Sequence, residues 1–332
     1  MTALNVAVVG LGVGEQHASG FVRAGCALRA VYDLDAAKAT DVAKRVGQGV
    51  VAKSFEAILE DPAVDVVALA TYDDCHAEEV VRALDAGKHV FCEKPLCRTP
   101  GELAKIEQAW KKSGKHLASN LILRTAPLYR RVRDLIASGS FGDVYAFYGD
   151  YLYGRLSKVT EGWRARVDDY SVMQGGGVHL VDLMGFLTGT KPVSVRASGN
   201  RIATEGTKFR YLDFVTATFE NDTRMTAVIS ANFASVHKHQ HVVRIFGTKA
   251  SFVYDDQGAR IYRERDPGGP AEILHESPLP ATKGDLIPDF LAGVANREEG
   301  DARTRFDLRV IRACMASDEA LRTGNVVSVA GE

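Results

Sequence analysis

Apolar runs of strand length alternate with amphipathic segments of helical period over about the first 120 residues. The predicted strands are 4–9, 27–32, 64–71, 89–92 and 117–120. The predicted helices are 16–24, 36–46, 54–59, 77–84 and 100–113, with Ser54 and Thr99 as capping residues. This alternation predicts right-handed β-α-β units and a mostly parallel sheet.

The pattern changes after about residue 122. One amphipathic helix is predicted over 127–137, and aromatic-rich alternating segments predict strands over 144–150, 193–200, 211–220, 224–232, 239–246 and 251–255. Further helices are predicted over about 178–187 and over 306–323. We therefore predict two domains, residues 1–122 and 123–332. The second is an α+β domain with a large open, mostly antiparallel sheet that helices cover on one side.

Composition narrows the function classes. The 332 residues are 46% hydrophobic and 25% charged, with a formal net charge of −1, which is typical of a soluble globular enzyme. Mixed charges argue against a nucleic-acid or membrane surface, and no apolar run approaches the length of a membrane span. The N-terminus has no signal-peptide pattern. Five cysteines without metal-type spacing predict reduced thiols and a cytoplasmic location.

A glycine loop follows the first predicted strand and opens a helix. Gly10 permits a tight turn and Gly12 lets the backbone approach a pyrophosphate, although the G-x-G-x-G spacing is one residue shorter than the common fingerprint. Asp33 ends the second strand, where an acid accepts hydrogen bonds from the ribose of NAD. Because Asp35 adds negative charge and no arginine follows immediately to hold a 2′-phosphate, the sequence favours NAD over NADP.

Glu93-Lys94-Pro95 ends the fourth predicted strand. In open α/β sheets ligands bind at the carboxyl ends of the strands, so Lys94 lies at the edge where a ligand is expected. A lysine there can act as an acid or base once burial or a nearby cation lowers its pKa. An isolated Glu-Lys-Pro more often marks a solvated lysine at the start of a loop. The upstream glycine loop and Asp33 favour the catalytic interpretation.

The segments VAVVGLGVGEQHA, VVALATYDDCHAEEVVRALDAGKHVFCEKPL and QGGGVHLVDLMGFLTG resemble the glucose-fructose oxidoreductase / inositol dehydrogenase (Gfo/Idh/MocA) family. The resemblance covers nearly the whole chain. It implies an N-terminal Rossmann domain and a C-terminal domain whose open sheet mediates homodimers or homotetramers. It also implies NAD(P)-dependent oxidation or reduction of a secondary alcohol on a sugar, cyclitol or related polyol.

By position, the resemblance also implies site residues. The expected cofactor contacts are Gly10, Gly12, Val13, Gly14, Asp33, Thr71, Tyr72, His76, Glu93 and Lys94. The expected catalytic residues are Lys94 and His179, and Asn120 and Arg124 match a segment that lines the substrate pocket. Tyr72 and Asp73 replace the usual Pro-Asn, so one wall of the nicotinamide pocket is altered.

One departure affects the catalytic set. Many members of the family carry an aspartate four residues before the histidine, and this chain has Gly175 there. Asp182 lies on the same helical face as His179 and could orient the imidazole, or could tie the helix to the sheet.

Trp163 and Arg164 lie in a loop-like stretch before the triple glycine, where an aromatic ring beside a guanidinium suits recognition of a polyol. Arginines would equally suit a phosphorylated or nucleotide-linked sugar. His237, His239 and His241 alternate along an extended strand, and we predict no metal site there.

The chemistry follows from these assignments. Oxidation of a secondary alcohol removes a hydride to nicotinamide and a proton to a base, for which Lys94 is the candidate, with His179 hydrogen-bonding the reacting hydroxyl. Two alternatives stay open. One is a glycosidase that oxidises its substrate transiently with bound NAD. The other is a non-catalytic, NAD-dependent ligand-binding or regulatory protein, which Gly175 makes more plausible.

Overall fold

A computed structural model of the chain describes residues 3–266 and 268–329. Residues 1, 2, 267 and 330–332, and with them the outer limits of both predicted domains, lie outside the described residues. The chain divides into two units by its internal contacts. The first contains residues 1–122 and 280–309, and the second contains residues 123–279 and 310–332.

Among the described residues, six parallel strands form the sheet of the first unit. They are β1 (Asn5–Val9), β2 (Ala27–Tyr32), β3 (Val50–Val51), β4 (Val66–Leu69), β5 (His89–Cys92) and β6 (Leu117–Ser119). Their order, β3-β2-β1-β4-β5-β6, is that of a doubly wound dinucleotide-binding fold. The predicted parallel sheet is confirmed. The two-residue β3 was not predicted because it is too short to leave an apolar run.

Helices connect these strands and continue into the second unit. In chain order they are α1 (Gly14–Arg23), α2 (Ala36–Val46), α3 (Phe55–Glu60), α4 (His76–Asp85), α5 (Pro100–Ser113), α6 (Pro127–Ala137), α7 (Leu156–Thr160), α8 (Val178–Thr188), α9 (Ile287–Ala295) and α10 (Arg297–Thr323). The predicted caps are confirmed: Ser54 accepts from the Ala57 N–H, and Thr99 forms a reciprocal capping box with Glu102. No helix of the described residues is both long and apolar enough to cross a membrane.

Residues 280–309 complete the core of the first unit. Phe290 of α9 packs edge-to-face against Phe21 and Phe91, with ring centroids 6.1 and 5.4 Å apart. Asp307 Oδ2 accepts a hydrogen bond of 2.8 Å from the Ser119 N–H. The structure therefore differs from the predicted division, which assigned these residues to the second domain. It also differs in α10, which begins at Arg297 and not at residue 306. The prediction began too late because the polar first turns of this helix carry no apolar periodicity.

The second unit contains a sheet of nine strands within the described part of the chain. They are β7 (Val144–Leu152), β8 (Pro192–Asn200), β9 (Phe214–Asn221), β10 (Thr226–Asn232), β11 (Gln240–Gly247), β12 (Ser251–Asp255), β13 (Gly258–Tyr262), β14 (Glu272–Leu274) and β15 (Val327–Ser328). Their order is β14-β13-β12-β11-β7-β10-β9-β8-β15. The β10–β7 pair is parallel and the other pairs are antiparallel, so the predicted open, mostly antiparallel sheet is confirmed.

Helix α8 covers the middle of this sheet. It packs against β7 and β10, and α6 packs against α8 in turn. His179, Asp182 and all the apolar residues of α8 except the half-buried Phe186 are buried, which explains why its sequence is hydrophobic on nearly every side. The helix that carries His179 is thus held by packing along most of its length.

Candidate functional site

The glycine loop turns sharply after β1. Gly10 has φ of +80°, and a Cβ atom built on it would lie 2.6 Å from the Ala70 carbonyl oxygen at the end of β4. Only glycine meets both conditions without strain. Gly12 has no neighbouring atom within 4 Å of a Cβ position, so a bound group can approach its backbone closely. Gly14 begins α1 after Val13, whose side chain makes no capping bond. This arrangement fits a pyrophosphate at the N-terminus of a helix.

Asp33 lies at the carboxyl end of β2, beside this loop. Its Oδ2 atom accepts hydrogen bonds from the Leu11 N–H at 2.7 Å and from Lys38 Nζ at 2.9 Å. Burial raises the pKa of Asp33, but these bonds outweigh it and hold the pKa below its ordinary value. Asp35 caps α2 by accepting from the N–H groups of Ala37 and Lys38. The pairing of Lys38 with Asp33 was missed because the two residues are close only through the first turn of α2.

The glycine loop and Asp33 line one cleft of about 290 Å³ in the first unit. The cleft contains five of the predicted cofactor-binding residues, namely Gly10, Gly12, Asp33, Thr71 and Tyr72. It also contains residues that were not predicted, among them Leu34, Lys38, Cys75 and Glu79. The Thr71 hydroxyl donates to Glu79 Oε2 at 2.5 Å, and burial raises the pKa of Glu79. Polar groups thus stand among apolar walls at the carboxyl edge of the sheet, as in most cofactor sites.

His76 ties together the ends of two strands. Its ring is buried, with Nδ1 2.7 Å from the Pro95 carbonyl oxygen and Nε2 3.2 Å from that of Thr71. A neutral imidazole donates one of these bonds and a protonated one donates both. The structure therefore connects His76 to the segment after β4 and to the one after β5. Its contacts fix the backbone beside Lys94.

Glu93 is the centre of a polar network at the end of β5. Its Oε1 atom lies 3.1 Å from His17 Nε2 and accepts a hydrogen bond of 2.7 Å from Asn120 Nδ2. Its Oε2 atom accepts from the Lys94 N–H at 3.3 Å. Burial raises the pKa of Glu93, but the hydrogen bond to His17 and the charges of His17 and Lys94 lower it to about 2.

Asn120 also donates to the Lys283 carbonyl oxygen at 3.0 Å, so this predicted substrate residue anchors Glu93. His17 was not predicted, although it directly follows the glycine loop in the segment GEQH. The Glu93 network therefore holds the backbone from which Lys94 projects.

Two other predicted substrate residues, Arg124 and Asp182, form an ion pair in the second unit. Arg124 donates to Asp182 Oδ1 through Nε at 2.7 Å and also through Nη2. The Asp182 side chain is fully buried and that of Arg124 is 12% exposed. The pair links the segment before α6 to α8. The observed partner of Asp182 is thus Arg124, which lies outside the sheet, whereas the sequence interpretation tied the helix to the sheet.

Residues Met173–Gly177 form a π-helix that leads into α8. Side chains occupy the space beside each of the three glycines, two of them from outside the π-helix and one, Met173, from its first residue. A Cβ on Gly175 would lie 2.2 Å from Tyr170 Oη, one on Gly176 2.5 Å from the Tyr151 ring, and one on Gly177 2.8 Å from Met173 Sδ. Close packing therefore disfavours a side chain at Gly175 and Gly176, where the neighbours are packed aromatic rings, more strongly than at Gly177, where the neighbour is the flexible Met173.

His179 belongs to a cluster of rings under α8. It stacks on Tyr151 at 6.2 Å between centroids and meets His241 edge-on at 6.0 Å. His241 lies opposite Tyr151 in the register of β11 and β7, which places both side chains on the face that α8 covers. Burial raises the pKa of Tyr151. Within each of β7 and β11, side chains alternate between the two faces of the sheet. This alternation was the signal in the sequence that could have identified Tyr151 and His241.

The other histidines of the HKHQH segment have separate partners. His237 Nε2 lies 2.8 Å from Asp256 Oδ2, and His239 Nδ1 lies 3.1 Å from the Leu152 carbonyl oxygen. Across residues 3–266 and 268–329, no group of three or more histidine, cysteine or acidic side chains is arranged to hold a metal ion.

Trp163 and Arg164, the remaining predicted substrate residues, lie in a short 3₁₀ helix (Trp163–Ala165) of the second unit. The Arg164 guanidinium carbon is 4.6 Å from the centre of the Trp163 ring, and Nε donates to Tyr170 Oη at 2.9 Å. The structure thus brings both residues to Tyr170, the side chain that packs against Gly175.

Comparison with protein families gives two matches that together cover more than half of the chain. Residues 4–121 match the family GFO_IDH_MocA, described as an oxidoreductase family with an NAD-binding Rossmann fold. Residues 129–253 match the GFO/IDH/MocA C-terminal domain.

The individual proteins that the chain resembles share less than a third of their residues with it over the matched segments. The chain is 29% identical over 226 residues to an uncharacterized oxidoreductase of Rhizobium meliloti, covering 66% of this chain and 63% of that protein. It is 31% identical over 195 residues to 1,5-anhydro-D-fructose reductase of Ensifer adhaerens, covering 56% of each. The matches thus span less than two thirds of either relative. A structure of levoglucosan dehydrogenase in complex with NADH covers 100% of both chains with a TM-score of 0.87 at 21% identity, a likeness of fold.

Proposed function

The chain belongs to the GFO/IDH/MocA oxidoreductase family, and on that premise we propose that it transfers a hydride between a nicotinamide cofactor and a secondary alcohol of a sugar, cyclitol or sugar derivative. The names of a related anhydrofructose reductase and of a similarly folded levoglucosan dehydrogenase support this substrate class. The observation that carries the proposal is the arrangement of one sheet edge. Gly10, Asp33 and Lys94 follow β1, β2 and β5 at the carboxyl ends of parallel strands.

The cofactor in this proposal is NAD in preference to NADP. Asp33 is ionised and suited to accept hydrogen bonds from ribose hydroxyls, while the exposed backbone at Gly12 suits the pyrophosphate. Lys38 beside Asp33 supplies one positive charge to the same end of the cleft. A 2′-phosphate would therefore meet both a carboxylate and an ammonium group, so the preference is one of degree.

Lys94 is the proposed general acid/base. When bound, NAD⁺ accepts the hydride from the substrate carbon. In the direction of oxidation, the neutral amine of Lys94 takes the proton from the substrate hydroxyl, and in the direction of reduction its ammonium form returns it. Glu93 keeps the backbone of Lys94 in place through the 3.3 Å bond to the Lys94 N–H. His179 is proposed to assist by hydrogen-bonding the reacting oxygen.

Association through the second sheet is proposed as well. Tyr145, on β7, is 56% exposed and stacks on Phe246 of β11 at 6.5 Å. Tyr148 meets the same phenylalanine edge-on at 5.9 Å. These exposed rings support a homodimer or homotetramer through the sheet. The cytoplasmic location stays a prediction.

A substrate panel tests the proposed function. Sugars, inositols, sugar phosphates and nucleotide sugars are incubated with NAD⁺ and with NADP⁺, and formation of the reduced nicotinamide is followed by absorbance. We expect turnover with at least one neutral polyol or sugar, and its loss in Lys94→Ala with NAD⁺ affinity retained. Lys111→Ala removes an exposed lysine from α5 and serves as the matched control.

Other outcomes separate the alternatives. Cleavage of a glycoside without net NADH, by protein that retains its cofactor on purification, would support the glycosidase. Binding of NAD in a thermal-shift assay with no turnover across the panel would support the binding protein. Unchanged turnover in Lys94→Ala would refute the assignment of the base.

A further inference from the structure

Tyr170 occupies the space beside the helix turn that precedes His179. Gly175 lies four residues before His179, about one turn away, and contributes no side chain. A Cβ there would lie 2.2 Å from Tyr170 Oη and 2.8 Å from Cζ. In this conformation, a side chain at position 175 and the phenol of Tyr170 therefore exclude each other. The atom nearest to the Cβ position of Gly175 is thus the hydroxyl oxygen of Tyr170.

The phenol is held from two directions. Its ring is 8% exposed and packs edge-on against Trp163 and Phe209, with centroids 6.0 and 5.8 Å apart. Its oxygen accepts a hydrogen bond of 2.9 Å from Arg164 Nε. A hydroxyl that accepts from a guanidinium is polarised and becomes a stronger donor in the opposite direction. Arg164 therefore both orients the hydroxyl and increases its capacity to donate.

A continuous set of packed rings joins Tyr170 to His179. Phe233 contacts the Tyr170 ring at 6.1 Å and the Tyr151 ring at 5.5 Å, and Tyr151 stacks on His179 at 6.2 Å. These rings are buried and pack against one another, so they fix the positions of Tyr170 and His179. The arrangement therefore holds a polarised hydroxyl and a histidine in one part of the second unit.

We propose that the Tyr170 hydroxyl, positioned by Arg164, binds a substrate hydroxyl next to the one on which His179 acts. The inference rests on the proposed function and extends it to a substrate with a second hydroxyl next to the reacting one. In this arrangement Arg164 is a positioning residue that acts through Tyr170. Tyr170 is a specificity-determining residue because it selects a vicinal hydroxyl.

The test compares Tyr170→Phe with Tyr211→Phe, each made in the 332-residue chain. Tyr211 packs on Tyr170 at 6.4 Å, and its hydroxyl donates to the Val167 carbonyl oxygen, so the control removes the same atom from the same cluster. With the best substrate of the panel, Tyr170→Phe is expected to lower kcat/KM about 10-fold, as for loss of one substrate hydrogen bond. NAD⁺ affinity should stay at its wild-type value, each variant should lose one hydrogen bond and therefore show a similar small fall in Tm, and Tyr211→Phe should keep kcat/KM within about twofold.

A double-mutant cycle tests the role of Arg164. Arg164→Gln should lower kcat/KM as Tyr170→Phe does. The kcat/KM of the double variant should be no lower than that of the less active single variant. Independent, multiplying losses would overturn the positioning role.

Wild-type kcat/KM in Tyr170→Phe, or an equal loss in Tyr211→Phe, would overturn the assignment of Tyr170. If this occurs while Lys94→Ala abolishes turnover, the proposed function stands and only this inference fails. A wild-type protein that turns over no member of the panel would overturn both.

Discussion

His17 Nε2 lies 3.1 Å from Glu93 Oε1, and this contact joins the helix after the glycine loop to the strand end that carries Lys94. Asn120 donates to the same oxygen at 2.7 Å from the end of β6. Three separate parts of the cofactor-binding unit therefore meet at one carboxylate. Loss of the charge of Glu93 should therefore lower the free energy of unfolding of that unit.

Glu93→Gln should lower the free energy of unfolding at pH 7 by about 2 kcal/mol. The folded-state pKa of Glu93 is about 2 against an ordinary 4.5, so its ionisation stabilises the native state above about pH 4.5. That contribution is lost as the pH falls towards 2. Urea unfolding at pH 7, 4.5 and 3 measures this contribution. Below pH 4.5 the free energy of unfolding of the variant should change less with pH than that of the wild type. Glu78→Gln, at a position 80% exposed, is the control, and an equal effect there would contradict the prediction.

Asp318→Asn should have the opposite effect to Glu93→Gln and raise the free energy of unfolding at pH 7. Asp318 accepts from Ser171 Oγ and Gln174 Nε2, both at 2.7 Å, yet burial raises its pKa to about 6. Because the native state holds this proton more tightly than the unfolded chain, stability falls as the pH rises from about 4 to about 6. An asparagine can bond both partners without a charge. We expect a gain of about 2 kcal/mol at pH 7 and little at pH 4.

Denaturant unfolding at pH 4 and pH 7 checks the Asp318 prediction. Asp134→Asn, on α6 with the carboxylate 66% exposed, serves as the control. A loss of stability in Asp318→Asn at pH 7 would show that the ionised carboxylate is needed by Ser171 and Gln174.

Lys38→Ala should sharpen the choice of cofactor. Lys38 Nζ is 2.9 Å from Asp33 Oδ2 and is the ammonium group next to the expected ribose position. Its removal should weaken NADPH binding about 10-fold, the cost of one charge-assisted hydrogen bond, and leave NADH binding within about twofold. Fluorescence titration with NADH and NADPH measures both affinities. Lys44→Ala on the same helix is the control, and an equal loss for both cofactors would contradict the prediction.

Gly10→Ala should lower the stability of the protein, whereas Gly12→Ala should lower its affinity for NAD⁺. Gly10 has a positive φ and a backbone oxygen 2.6 Å from its Cβ position, so alanine there should cost about 3 kcal/mol or more of stability. Gly12 has open space, and alanine there should preserve the Tm. Its methyl group would instead occupy the approach of the pyrophosphate and weaken NAD⁺ binding. Thermal unfolding and titration with NADH separate the two effects, and a Gly12→Ala variant that binds NADH normally would argue against this position of the pyrophosphate.

The sequence predicted the features that depend on local pattern. The parallel sheet follows from short apolar runs between helices, and the cleft around Gly10 and Asp33 follows from the spacing of loop and acid. The contacts of Glu93 could not be predicted, because His17 and Asn120 reach it from 76 and 27 residues away.

The same limit applies to the second unit. The register of β7 and β11 places His241 beside Tyr151, and periodicity alone does not pair strands. The sequence identified Gly175 as a departure from the family pattern, but the phenol that fills its place became visible only in the structure.

The return of residues 280–309 to the first unit has a consequence for biosynthesis. Ser119 bonds Asp307, 188 positions later, so the core of the cofactor-binding unit lacks Phe290 and its neighbours until most of the chain has left the ribosome. At translation rates of roughly 5–20 residues per second, that interval lasts roughly 10–40 s. During that time an incomplete parallel sheet exposes apolar surface. The yield of folded protein should therefore depend on chaperone capacity and on the rate of elongation through this interval.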